Sequence, residues 1–135
     1  MLRPLPCLVI LALAALAAVA APAADARRGK DDGDEVRVAG RCGAAVTSKL
    51  RLKAGDGRIE IRFEVDQNRS GRVWRVAIVH ERRVVWKGKA RTTGSSGSFE
   101  VRRRVRDLPG VDEVSARAWG PGGVTCRARA SLAAS

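Results

Sequence analysis

In Asp66–Gly71, which reads DQNRSG, the residues Asp, Asn, Ser and Gly fall at the first, third, fifth and sixth places, as in the opening of a calcium loop. Such a loop closes on a bidentate Glu at its twelfth place, and here that place holds Ala77. One carboxylate with Arg69 and Arg72 beside it makes a poor cage for a divalent ion. The same residues suit a polar turn, because Asp and Asn bond their own backbone and Gly accepts positive φ. A hairpin turn is expected there, and no metal.

Few other residues are placed for catalysis. His80 is the only histidine, and it stands beside Glu81 with no Cys, Ser or second histidine nearby. A nucleophile needs a base within hydrogen-bond reach, and Ser95, Ser96 and Ser98 fall in a turn-like stretch instead. Glu60 and Glu64 could be read as the carboxylate pair of a glycoside hydrolase. They alternate with Arg58 and Arg62, which favours plain ion pairing. The chain is therefore read as no enzyme, with no cofactor.

The three cysteines divide by position. Cys7 lies in MLRPLPCLVILALAALAAVAAPAADA, where Arg3 supplies a positive start and Leu8–Val19 an apolar run too short for a membrane span. This is the layout of a secretory signal over residues 1–26, with cleavage after Ala20 or Ala26. Cys7 precedes the apolar run, so a lipid-modified cysteine is not expected. Removing the signal leaves Cys42 and Cys126, an even pair that reads as a disulfide in an oxidising compartment. The protein is expected to be secreted, with no integral membrane segment in the mature chain.

The net charge is +12, and it stays there after signal removal because Arg3 and Asp25 leave together. Basic charge outside the membrane permits association with polyanions such as wall polymers, extracellular DNA or anionic surfaces. Two groups of basic residues differ in their surroundings. Lys49, Arg51 and Lys53 precede a strand carrying Glu60 and Glu64, so cross-strand pairing is expected. In the C-terminal third, Arg102, Arg104 and Arg106 share one strand face, Arg127 and Arg129 another, and Arg117 points outward between them. If those strands are neighbours, the six arginines line one sheet face and form a polyanion-binding patch. The competing reading is a solubilising face that resists edge pairing.

The elements that must carry these residues are strands. Residues 27–34 have mixed charge and no periodicity and read as a flexible leader. From Glu35 onward the period is two. Ile59, Ile61, Phe63 and Val65 alternate with charged residues, the clearest half-buried strand in the chain. Trp74, Val76 and Ile78 have Val73, Ala77 and Val79 on the opposite face, which suggests a central strand. Val84 and Trp86 begin another, and GKARTTGSSG is expected to be a polar loop. Trp119 falls off the face of Ala116 and Ala118, beside Gly120 and Pro121, where a partly buried place at the end of the core is expected and a rim place that could touch a ligand is the alternative.

Seven or eight short strands over residues 35–132 predict an all-β antiparallel sandwich with one disulfide. This pattern, with Cys126 in register with Val124 and Ala128, resembles the immunoglobulin-like and fibronectin-III-like sandwiches of small secreted bacterial proteins. The resemblance implies a binding or structural module. The chain lacks that family's Trp shortly after the first Cys, and it contains no Tyr. The functional expectation is a secreted non-catalytic module of unknown ligand, with an anionic polymer as the alternative partner.

Overall fold

The computed structural model describes residues 34–133, which form nine strands and one short 3-10 turn. The expected signal, 1–26, and the leader up to residue 33 lie outside the described residues. Strands β1 (Glu35–Ala39), β3 (Thr47–Gly55), β4 (Arg58–Asp66) and β7 (Ser98–Arg106) form one antiparallel sheet in the order β1-β3-β4-β7. Strands β2 (Arg41–Cys42), β9 (Thr125–Ala133), β8 (Val111–Trp119), β5 (Val73–His80) and β6 (Arg83–Arg91) form the second, in the order β2-β9-β8-β5-β6.

The alternation seen in the sequence becomes the division between core and solvent. Leu50, Leu52, Ile61 and Phe63 of the first sheet and Trp74, Ile78 and Val114 of the second are fully buried in one shared cluster. Each such side chain contributes on the order of 1.5–3 kcal/mol through removal from water. As expected from its two apolar faces, β5 is central, between β8 and β6. Hairpins join β3 to β4, β5 to β6 and β8 to β9 within a sheet, whereas β4–β5, β6–β7 and β7–β8 cross between sheets.

Three local expectations change. First, DQNRSG is no hairpin, because β4 and β5 lie in different sheets. Its turn chemistry is nonetheless present: Asn68 N–H donates to Asp66 Oδ1 at 3.0 Å, and Asn68 and Gly71 take positive φ. The segment is held by the β6–β7 loop, where Thr92 receives Arg72 N–H and donates its hydroxyl to the Arg69 carbonyl. Gly97 lies so close that a Cβ there would stand 2.2 Å from Arg69 N.

Second, β6 does not end near Trp86 but runs to Arg91. Its polar composition is that of an edge strand, and Gly88 gives the Trp86 ring room, since a Cβ would meet that ring at 2.8 Å. Third, Val36, Val38, Arg41 and Cys42, which read in the sequence as one strand, belong to two. At Gly40 the chain leaves β3 and joins β9, passing so near Ser48 that a Cβ would stand 2.0 Å from its hydroxyl. Cys42 then lies opposite Cys126, and the two form the expected disulfide, with S–S 2.10 Å.

Candidate functional site

The six arginines expected on one face occupy two. Arg102, Arg104 and Arg106 are on β7, which pairs with β4 in the four-stranded sheet. Arg117, Arg127 and Arg129 are on β8 and β9 in the five-stranded sheet. The polypeptide crosses the sandwich between Arg106 and Val111, so β7 is no neighbour of β8 and β9 and the six-arginine patch does not form. Sequence spacing indicates which residues share a strand face. It does not indicate which sheet the strand joins.

The outer face of the four-stranded sheet is rich in arginine but supplied with acids. One rung carries Arg37, Arg51, Arg62 and Arg102 across all four strands. The neighbouring rung alternates in sign, as Glu35, Lys53, Glu60 and Arg104. Glu35 pairs with Arg37 and with Arg51, the latter at 2.9 Å. Glu60 takes Arg62 at 2.5 Å and Arg104 at 3.7 Å, and Glu100 takes Arg102 at 3.2 Å. The hydrogen bond from Arg51 holds the Glu35 carboxyl below its usual range, and the one from Arg62 does the same for Glu60. As expected, Lys49 and Lys53 face Glu64 and Glu60.

The outer face of the five-stranded sheet lacks that compensation. Arg41 stands opposite Arg127, and Arg127 opposite Arg117, so three adjacent strands present an arginine on the same rung. Like charges directly opposite one another oppose sheet pairing. Among the described residues, none of the three has an ion pair. Arg129 reaches Glu113 at 3.7 Å, and both side chains are well exposed. Arg41, Arg117, Arg127 and Arg129 line an open depression of about 510 Å³ whose remaining wall is Ala39, Ser115, Ala116 and Ala128, with no acid. One rung away, Trp119 is 39% exposed, and the Arg75 guanidinium sits 5.9 Å from its ring centroid. Trp119 thus takes the rim position, the alternative to the partly buried place expected for it.

Arg41 is not among the six arginines expected from sequence, because it belongs to the strand that changes sheets. Its only signal is Cys42, whose bridge to Cys126 brings Arg41 into register with Arg127. Arg103 is a second residue that strand alternation does not single out. It points inward from β7 and stacks on Trp86 of β6 at 4.6 Å, closing the open edge of the sandwich.

A second cluster lies at the end where β5 terminates and β8 begins. His80 Nε2 is 2.7 Å from Asp112 Oδ1, with His80 6% exposed and Asp112 fully buried. The same carboxylate oxygen accepts Leu108 N–H at 3.3 Å. Asp107, in the β7–β8 loop, hydrogen-bonds with Asp112, and that interaction raises its carboxyl above the ordinary range, with desolvation adding to the shift. Glu81, at positive φ in the β5–β6 turn, accepts Glu113 N–H at 2.6 Å. In the sequence His80 has no visible partner, because Asp112 lies 32 residues away. Comparison with protein-family models, with curated proteins and with solved structures finds no match for this chain.

Proposed function

We propose that this protein is a secreted, non-catalytic binding module that takes a linear anionic polymer on the outer face of its five-stranded sheet. The observation that carries this reading is the row Arg41–Arg127–Arg117, which has no acid to answer it. Guanidinium groups are always charged and bind phosphate, sulfate or carboxylate through a two-pronged fork. A row of them held in register by strand pairing costs stability unless an anion from outside offsets the repulsion. The adjacent exposed Trp119 adds a flat apolar surface beside the charges.

The immunoglobulin-like reading belongs with this function. The order β3-β4-β7 against β6-β5-β8-β9, with β4–β5 and β7–β8 crossing between sheets, supports it. Folds of that kind present broad sheet faces and end loops for binding. The disulfide is consistent with an extracellular location. A non-catalytic role is supported by His80, whose hydrogen-bond partner is a buried carboxylate, not a nucleophile.

The test is salt-dependent binding to duplex DNA and to heparin by two triple variants. Replacing Arg41, Arg117 and Arg127 with Ser should weaken binding and flatten the log–log salt dependence by roughly 2–3, at about 0.9 for each phosphate no longer neutralised. Replacing Arg62, Arg102 and Arg104, which pair with Glu60 and Glu100, should change much less. Equal effects in the two variants would mean that the charge acts diffusely and that the row is no site.

A further inference from the structure

The acidic end of the sandwich has an imbalance that this chain had every means to avoid. Asp112 is fully buried, and apart from the Asp107 carboxyl its Oδ2 has no hydrogen-bond donor. Asp107 Oδ1, also buried, has no donor from any other residue. Carboxylate oxygens can only accept hydrogen bonds, so each alone should be answered by a cation or a donor. The sequence holds 26 lysines and arginines, yet among the described residues none forms an ion pair with Asp107 or Asp112. Arg82 and Arg83, in the adjoining turn, are exposed and form no ion pair with either acid. His80 is the only basic side chain paired with Asp112, while Glu81 and the Asp34 charge add to the negative side.

Burying carboxylates in excess of their counter-charges is costly unless something positive enters. The ligand atoms of His80, Glu81 and Asp112 already lie within 4.8 Å of one another. They come from the end of β5, the β5–β6 turn and the start of β8, elements fixed by strand pairing rather than by a loose loop. One imidazole nitrogen with several carboxylate oxygens is a donor set for a borderline first-row divalent ion, not for calcium, which prefers oxygen alone.

We propose that this end of the sandwich is a zinc-type divalent cation site, with His80 Nε2, Asp112 and Glu81 as ligands and Asp107 beside them, against Asp112. The site is separate from the arginine face. Binding requires His80 Nε2 to present a lone pair, so a neutral imidazole carries its proton on Nδ1 as the metal–nitrogen bond forms. Asp112 turns its Oδ2 to the metal. The bound ion would tie the β5–β6 turn to the start of β8.

The full secreted chain, stripped with EDTA and dialysed, is titrated with zinc chloride by calorimetry in two buffers of different ionisation enthalpy. Manganese and calcium chlorides serve as comparisons. The expected result is saturable one-to-one zinc binding, a zinc-dependent rise in melting midpoint and weaker binding of calcium. Glu81→Gln keeps an acceptor for Glu113 N–H, and Asp107→Asn leaves the backbone bond to Gly57 in place, so both variants should fold. Each should weaken zinc binding by roughly tenfold or more. Asp107→Asn should also raise the midpoint of the metal-free protein, because its amide can donate to Asp112 Oδ2. Absence of saturable zinc binding by the wild-type chain overturns the proposal and leaves the two carboxyls sharing a proton. Binding unchanged in both variants overturns the ligand assignment.

Discussion

The two outer faces of this sandwich are built from the same residue types and differ in where the acids stand. On the four-stranded sheet, Glu35, Glu60 and Glu100 each reach an arginine, and a rung of alternating sign flanks the arginine rung. On the five-stranded sheet, the arginine row Arg41–Arg127–Arg117 has no such flank, and Glu113 alone pairs, with Arg129. A surface ion pair contributes about 0–1 kcal/mol, so the difference matters little to folding. It matters more to what each face attracts. A face that pairs most of its arginines, with Arg58 and Arg106 at one end as the exceptions, has less to offer an external anion than one that leaves three in a row.

The contrast can be broken or sharpened by experiment. The largest effect should come from the Cys42–Cys126 bridge, which holds Arg41 beside Arg127. It spans a sequence separation of 84, and its removal by Cys42→Ser and Cys126→Ser should cost about 4–5 kcal/mol in the chain-entropy account. Urea unfolding of the double variant measures this. A destabilisation below about 1 kcal/mol would mean that strand pairing alone seats β2.

Next in size is a substitution that tests the crossing between the two faces. Gly97→Ala forces a Cβ to within 2.2 Å of the Arg69 backbone at a position of positive φ. A destabilisation of about 2–3 kcal/mol is expected from combined strain and steric displacement. Thermal melts of the variant would contradict this packing if the midpoint stayed at the wild-type value.

A smaller and more direct test converts one face into the other. Ser115→Glu places an acid opposite Arg129 and on the same strand face as Arg117. Stability should rise by roughly 0.5 kcal/mol while affinity for heparin falls. The reverse change, Glu60→Gln, frees Arg62 and Arg104 and should raise heparin affinity of the four-stranded face by a smaller factor. Equal and opposite shifts of affinity in the two variants would show that net charge, and not its arrangement, controls binding.

The smallest effect concerns acid. Hydrogen bonds from Arg51 and Arg62 depress the carboxyls of Glu35 and Glu60 in the folded protein. Their contribution to stability is therefore present above the unfolded pKa and is lost as the pH falls through the lower folded values. Amide exchange along β1, β3 and β4 should quicken below pH 4.5, the ordinary value, before exchange along β8 and β9 does. Simultaneous loosening of both sheets would deny the four-stranded face its distinct ion-pair support.

What the sequence determined by itself is whatever depends on neighbours along the chain. Period two in Ile59–Val65 placed its core side, because successive strand side chains point to opposite faces. The placing of Trp119 off the face of Ala116 and Ala118, the central place of β5 and the Cys42–Cys126 bridge were legible for the same reason or by elimination. Tertiary structure decided which strands became neighbours. It sent β7 to one sheet and β8 and β9 to the other, dividing the expected arginine patch, and it brought Arg41 into the row through a strand that changes sheets at Gly40. It also joined His80 to Asp112 across 32 residues. Strand alternation is a local steric rule, whereas sheet membership follows from burying the whole apolar surface at once, and no stretch of sequence encodes that alone.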